Sequence, residues 1–150
     1  MKSITLLLSL CACLGPCGLE RPSLERDFVL PTDYAGWVVI EYGVEGGHTP
    51  SSTDGRDQVP VPKSGKVQLT TPYKSGVLND RYTRSNGTPI RTLSGEKLTR
   101  SEEHEATRST PFVCCGGTRT YEDVSAGKPK RTFDYFYVGK GPAGDAPTIP

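Results

Sequence analysis

Alternating apolar and polar positions mark two segments of the chain as β-strands. In residues 37–44 and 130–138, apolar side chains recur at every second position, which is the period of an extended strand. In the first segment one face carries the apolar side chains Val38, Ile40, Tyr42 and Val44. In the second segment one face carries Phe133, Tyr135 and Tyr137, and the other carries Phe136 and Val138. Because the first segment begins apolar on both faces, we expect it to be an interior strand.

Shorter apolar runs separated by glycine and proline predict further strands. Pro60 and Pro62 lack a backbone donor, so their segment is expected to be either an edge strand or a polyproline segment. The dipeptide Asn86-Gly87 favours a type I′ hairpin turn, because both residue types tolerate positive φ. The predicted short strands are 58–62, 66–70, 73–78, 80–85, 88–93 and 111–117. Together these strands predict an all-β domain, either a small antiparallel β-sandwich or a barrel-like fold.

The N-terminus has the pattern of an export signal. Lys2 supplies a positive charge, residues 4–10 form a short apolar run, and the small residue Ala12 lies beside two cysteines. The run is too short to span a bilayer, which needs about 20 apolar residues. We therefore expect residues 1–12 to be a signal peptide that is removed from the mature protein.

The end of this signal resembles the lipobox of bacterial lipoproteins. Leu10-Cys11-Ala12-Cys13 follows that pattern, except that Cys11 stands where alanine, serine, threonine or a branched aliphatic residue is usual. The resemblance implies that the signal is cut before Cys13 and that the Cys13 thiol carries a diacylglycerol, with further acylation open to the new amine. Several acyl chains anchor a protein firmly, since each buried methylene contributes about 0.8 kcal/mol. A plain secreted protein, cut nearby and not lipidated, is the alternative.

Composition separates the remaining chain into a tether, a domain and a tail. Residues 13–27 are expected to be the lipidated N-terminus and a flexible tether, because they are polar and rich in glycine and proline. The composition becomes apolar at Phe28. The β domain is expected over residues 28–140, and the Gly-Pro-Ala segment 141–150 is expected to be a disordered tail.

The overall charge excludes one broad class of partners. The chain has 18 Lys and Arg residues against 17 Asp and Glu residues, for a net charge of +1. A protein that binds nucleic acid through its backbone phosphates needs a basic surface, so no nucleic-acid partner is expected. The 17 glycines and 13 prolines also argue against long helices, a coiled coil or a helical bundle.

Three segments resemble a family of uncharacterised bacterial exported domains. The first is the opening Leu-Pro-Thr-Asp-Tyr-Ala-Gly-Trp-Val-Val-Ile-Glu-Tyr of residues 30–42, followed by weaker likenesses at 59–65 and 133–139. The resemblance would span residues 28–140 and implies an exported domain of unknown function. It brings no catalytic residues. Where that family tends to have an aromatic residue before a Gly-Gly pair, this chain has Cys114-Cys115.

The adjacent cysteines Cys114 and Cys115 are the most unusual feature of the sequence. In an oxidising compartment they could close a disulfide with each other, or one could pair with Cys17 and leave the other free. They could also remain reduced and pack as small apolar side chains, or serve a redox or ligand-binding role. The sequence leaves these interpretations open.

No metal, cofactor or catalytic site is expected from the sequence. A zinc site built from Cys114, Cys115, His48 and His104 would have suitable ligand types, but these residues lack the two-to-five-residue gaps of compact sites. Nothing local marks a Cys-His nucleophile, and no Gly-x-Ser-x-Gly elbow occurs. An envelope enzyme that uses Cys114 or Cys115, with a histidine as base, is nevertheless the rival to a non-enzymatic role.

These observations predict a lipoprotein of the bacterial cell envelope, held at the membrane by its lipid anchor on the periplasmic or surface face. Its small β domain is expected to act as a binding or structural module with an unknown ligand. Because an open sheet edge can accept an extra strand, an envelope protein is the expected partner.

Overall fold

A computed structural model describes residues 22–93, 110–122, 127, 130–140, 143–145 and 147–149. The described part contains nine β-strands and no helix. The strands are β1 (Ser23–Leu30), β2 (Gly36–Tyr42), β3 (Ser51–Thr53), β4 (Arg56–Pro60), β5 (Lys66–Leu69), β6 (Val77–Arg84), β7 (Arg91–Thr92), β8 (Phe112–Tyr121) and β9 (Arg131–Gly139). The all-β class and the two long strands expected from the sequence are confirmed.

The strands form two separate sheets rather than a closed barrel. One sheet has the order β3-β4-β1-β6, and the other has the order β5-β2-β9-β8-β7. Both sheets are mixed: β1 pairs in parallel with β4 and with β6, and β2 pairs in parallel with β5. The expectation of a purely antiparallel sandwich is therefore wrong, although the two-layer arrangement is correct.

The connections between strands explain the parallel pairs. The chain passes from β1 in one sheet to β2 in the other, returns for β3 and β4, and crosses again to β5 and back to β6. In each of the three parallel pairs just named, the chain visits the other sheet between the two strands, so the partners are not consecutive strands joined by a hairpin. Most of the Gly- and Pro-rich turns thus connect the two layers and do not join neighbours within one sheet.

The core lies between the two sheets and follows the two-residue period of the strands. Val38 and Ile40 of β2 face Phe28 and Leu30 of β1, and all four are essentially inaccessible to solvent. On β9 the side chains of Phe136 and Val138 enter the same core. The remaining core side chains are Tyr34, Val59, Val61, Val67, Leu69, Tyr82, Ile90 and Val113. The faces expected for 37–44 and 130–138 are confirmed for these inward positions.

The ends of the domain differ from the expected boundaries. Strand β1 begins at Ser23, so residues 23–27, expected in the tether, form the first part of an interior strand of the four-stranded sheet. In the segment expected as a disordered tail, Ile149 is buried and Ala143 packs against the cluster of Phe112 and Cys114. The segment 101–108, whose Ser101 and following acidic residues favour at most a short surface helix or a loop, lies outside the described residues.

Two turns show how glycine fixes the path of the chain. Asp54 and Gly55 both have positive φ and close the β3–β4 hairpin as a two-residue loop. At Asn86-Gly87 the chain also reverses, with the Gly87 amide donating to the Arg84 carbonyl at 2.8 Å. Only Gly87 has positive φ there, so the turn is confirmed but is not of type I′. The strand expected at 88–93 is reduced to a bridge at Pro89 and the two-residue β7.

Candidate functional site

A buried arginine on β1 joins the two sheets. The period of β1 places Arg26 on the same face as Phe28 and Leu30, so its side chain enters the interior, where it is almost fully buried. Its guanidinium makes a bidentate ion pair with Asp80 of β6, with both N–O distances 2.8 Å. It also donates to Asp134 of β9 at 2.8 Å and to the hydroxyl of Tyr42.

Asp134 is the second centre of this network. It lies on the core face of β9, two positions from Phe136, and its side chain is buried. One carboxylate oxygen accepts hydrogen bonds from Arg26 and from the Tyr42 hydroxyl, the latter at 2.6 Å. The other oxygen accepts from the Thr118 hydroxyl at 2.6 Å. The carboxylate is therefore held in place by donors from three strands.

The network carries unequal numbers of opposite charges. One guanidinium (Arg26) lies between two carboxylates (Asp80 and Asp134), so these three side chains sum to −1. The neighbouring phenols respond to this environment: burial raises the pKa of Tyr42 and of Tyr82, and the adjacent carboxylates raise both pKa values further. Both phenols thus remain neutral hydrogen-bond donors at ordinary pH.

A cleft of about 460 Å³ opens above this network. It lies at one side of the sandwich, between β6 of one sheet and β7 and β8 of the other, and its size is that of many small binding sites. Its floor contains Arg26, Asp80 and Asp134. Apolar side chains on its walls include Ile40, Leu78, Tyr82, Leu93, Val113 and Phe136.

Strand β8 contributes a β-bulge to the wall of the cleft. The register with β9 shifts between Cys114 and Gly117, so that Cys115 and Gly116 together face the single residue Phe136. Cys115 has a φ of 60°, a left-handed conformation that residues with a side chain rarely adopt. The structure joins Cys114 and Cys115 in a disulfide, with Cys114 buried and Cys115 exposed.

One edge of β6 faces the cleft without a partner strand in the part of the chain that the structure describes. Backbone groups of Tyr82 and Arg84 point away from β1, because they bond to Ile90 and Thr88 on the other side. The two-residue period gives the backbone groups of Leu78 and Asp80 the same direction. Among described residues, no strand pairs with this portion of β6. Val77 and Leu78 are 57% and 49% exposed.

A second buried arginine fixes the strands that carry this edge. Arg56 of β4 donates to the backbone carbonyls of Arg26 and Asn79, at 2.8 Å and 2.6 Å, and also pairs with Asp27 and Glu25. It thereby ties β4 to β1 and β6. Hydrogen bonds from Ser23, from Asn79 and from Arg56 lower the pKa of Glu25. Burial acts to raise the pKa of Asp27, but hydrogen bonds from Arg56 and Gln58 outweigh it and lower that pKa.

Of the side chains that the sequence singles out, the structure brings only Cys114 and Cys115 together. Cys13 and His104 lie outside the described residues. His48 forms a bridge to Leu69 on β5, and β5 is separated from β8 by β2 and β9. Three strand spacings amount to roughly 14 Å, so His48 cannot act as a base for either cysteine. Within the described ranges, no group of three or more His, Cys, Asp and Glu residues could hold a metal ion.

Sequence reasoning misses the charged floor of the cleft, although a signal for it exists. Asp134 shares the period-two face of Phe136 and Val138, and that pattern already places a carboxylate on the core side. Arg26 likewise shares the face of Phe28 and Leu30. Buried charges occur in pairs, so two charged residues on two core faces indicate an ion pair between the faces. Asp80, the other partner of Arg26, has no such signal, because apolar and polar residues do not alternate in its segment.

The comparisons place this two-sheet domain in a known family. The chain belongs to a family of unknown function, DUF6843, whose model matches residues 24–136. Its fold is similar to that of a Bacillus anthracis protein, provisionally named a lipoprotein, in a crystal structure at 2.75 Å. The similarity has a TM-score of 0.53 and 16% sequence identity, over 82% of this chain and 75% of the other. At this identity the likeness establishes the fold alone.

Two further observations assign no activity. A search of curated proteins gives no significant match. Among the residues that the structure describes, no helix is long and apolar enough to cross a membrane.

Proposed function

We propose that the protein is a lipoprotein of the bacterial envelope, anchored through Cys13, whose β domain is a binding module for a protein partner. The anchor is supported by the basic start, the short apolar run and the lipobox-like residues 10–13. The provisional name of the Bacillus anthracis structural neighbour agrees with this assignment. The location that follows is the envelope, with the domain at the membrane surface.

The binding role rests on one observation, the unpartnered edge of β6 beside the cleft. The backbone groups of Leu78 and Asp80 offer hydrogen bonds in the spacing of a strand, which an extended segment of another protein can complete. Such a segment lies over the cleft and directs alternate side chains into it. Apolar side chains suit the walls, and a lysine or arginine suits the floor, whose three charged side chains sum to −1.

Photo-crosslinking in cells tests the binding edge. A benzophenone amino acid at Val77, which is exposed at the start of β6, should capture one protein on irradiation. The change Leu78→Lys places a charge on the edge and should abolish this product. Thr53→Lys is the matched control, because Thr53 is an exposed residue of β3 at the opposite edge of the same sheet. A crosslink that survives Leu78→Lys, or no product at all, contradicts the proposal.

Mass spectrometry of the mature N-terminus tests the anchor. The protein purified from membranes should begin at Cys13 and carry the mass of a diacylglycerol on the thiol. Cys13→Ala should leave the signal uncut and remove the lipid mass, whereas Cys17→Ala should change neither. An unmodified N-terminus away from Cys13 would show instead a secreted, non-lipidated protein.

A further inference from the structure

The two cysteines of the β8 bulge differ in their access to solvent. Cys114 is 3% exposed and packs with Phe112 in a small cluster that also includes Leu93 and Tyr137. Cys115 is exposed on the side of the cleft. A disulfide is attacked at the sulfur that an incoming thiolate can reach, and Cys115 is the solvent-exposed residue of this pair.

We propose that the Cys114–Cys115 disulfide is a thiol–disulfide exchange site, attacked at Cys115 by a protein with two neighbouring thiols. One thiolate of that dithiol forms a bond to the Cys115 sulfur, and the bond between the two cysteine sulfurs breaks. The Cys114 sulfur leaves with the electron pair and takes up a proton. The second thiol of the dithiol, once deprotonated, attacks the mixed disulfide. The products are two reduced cysteines on this chain and one oxidised disulfide on the partner, so two electrons and two protons are transferred.

The position of the disulfide links this chemistry to the cleft. Cys115 keeps its left-handed backbone within a closed ring with Cys114, and Gly116 and Gly117 follow directly. Opening the ring removes this covalent constraint, and an L-residue then favours negative φ. The next residue, Thr118, holds the Asp134 carboxylate of the cleft floor at 2.6 Å. A change at the bulge therefore reaches both the wall and the floor of the cleft.

The exchange itself does not depend on the proposed partner at β6. Its consequence for partner binding does rest on that proposed function: the oxidised and reduced forms present different cleft walls to the same edge strand. The two claims are separated by measuring exchange on the isolated protein and binding by the crosslink at Val77.

Trapping of the mixed disulfide tests the exchange. The full chain in detergent is incubated with a reduced thioredoxin whose second active-site cysteine is serine, so that the reaction stops at the mixed disulfide. Peptide mapping should find thioredoxin on Cys115 at least about tenfold more often than on Cys114, because burial restricts access. Cys17→Ser is made in parallel and should give the same result. Trapping mainly on Cys114, or a native disulfide between Cys17 and either cysteine, overturns the proposal.

Reduction of the native protein gives a second measurement. Intact mass after treatment with wild-type reduced thioredoxin and then N-ethylmaleimide should show two more labels than the protein treated with N-ethylmaleimide alone, and both extra labels should lie in the peptide that contains residues 114 and 115. Amide hydrogen exchange of residues 113–118 should then rise about tenfold, while β1 and its partner β6 are unchanged. Protection that stays the same in the bulge shows that the disulfide does not control the cleft. If labels appear but the Val77 crosslink does not, the exchange stands and the proposed function fails.

Discussion

Arg26 donates a hydrogen bond of 2.8 Å to Asp134 across the interior, and these two residues belong to different sheets and lie 108 positions apart. Most of the side chains that meet between the two sheets are apolar, and this hydrogen bond is one of the polar contacts among them. Because Asp80 binds the same guanidinium from β6, removal of Arg26 takes the cation away from the buried carboxylate of Asp134 and the partly buried carboxylate of Asp80. The ion pair thus fixes how the sheets face each other at the floor of the cleft.

The first prediction concerns this buried cation. Arg26→Met should lower the free energy of unfolding by about 3–5 kcal/mol, which is the usual cost of removing one partner of a buried ion pair. Arg131→Gln is the matched control, because the Arg131 side chain pairs with Glu41 but is 42% exposed. That change should cost less than about 1 kcal/mol. Urea unfolding followed by tyrosine and tryptophan fluorescence measures both, and equal losses would contradict a structural role for Arg26.

The second prediction concerns alkaline pH. The folded-state pKa of Tyr42 and of Tyr82 lies above the ordinary value of 10, mainly because both phenols are buried. A raised folded-state pKa contributes stability that is complete below pH 10 and is lost as the pH rises towards the folded-state value. Absorbance at 295 nm should therefore show these two phenols ionising only together with unfolding. In Tyr42→Phe the alkaline loss of stability should be smaller, and an unchanged profile would count against this assignment.

The third prediction uses two glycines that share positive φ but differ in their surroundings. A Cβ at Gly65 would lie within 2.5 Å of the Trp37 carbonyl and would also overlap the Tyr34 hydroxyl. A Cβ at Gly87 would meet nothing within 4 Å. Gly87→Ala should cost about 1–2 kcal/mol for the backbone alone, whereas Gly65→Ala should cost clearly more. Thermal unfolding compares the two, and similar melting temperatures would exclude a packing role for Gly65.

The fourth prediction concerns acidic pH and the ties around Arg56. The pKa of Asp27 lies below its usual value of 3.8 in the folded protein, since hydrogen bonds from Arg56 and Gln58 outweigh the effect of burial. Such a carboxylate contributes stability above pH 3.8 that is lost as the pH falls through the lower folded-state value. Asp27→Asn should therefore flatten the acid limb of the stability profile, measured by urea unfolding between pH 2 and 6. Arg56→Gln removes the main donor and should flatten it too. If both variants lose stability at acidic pH as the wild type does, a stabilising interaction between Asp27 and Arg56 is contradicted.

Part of the fold is predictable because two strands carry strong local patterns. Residues 37–44 and 130–138 alternate cleanly, and the structure places both in the centre of the five-stranded sheet. Strand β1 is not predicted, because the consecutive charged residues Glu25, Arg26 and Asp27 are typical of a solvent-exposed segment. In the structure each of them pairs with charged or polar groups that are distant in sequence. The order and direction of the strands depend on how the chain passes between the two sheets, and no local residue pattern encodes that path.

The candidate site is harder to predict than the fold because it is assembled from distant segments. The adjacent cysteines are visible in the sequence, but the bulge that exposes one and buries the other depends on the register between β8 and β9. The edge of β6 is also a property of strand order. Asp80 carries no periodic signal, and its role follows only from the position of Arg26 on the neighbouring strand.

The central position of β1 has a consequence for the order of folding. This strand is made first, yet its two neighbours, β4 and β6, begin only at Arg56 and Val77, and the pairing with β6 spans 54 residues. Pairing over such separations is slow, since the loop entropy is lost before any contact compensates it. A chain that crosses a membrane N-terminus first therefore cannot complete its four-stranded sheet until Arg84 has emerged. If the chain is exported, as we propose, this topology delays completion of the four-stranded sheet until more than half of the sequence has emerged.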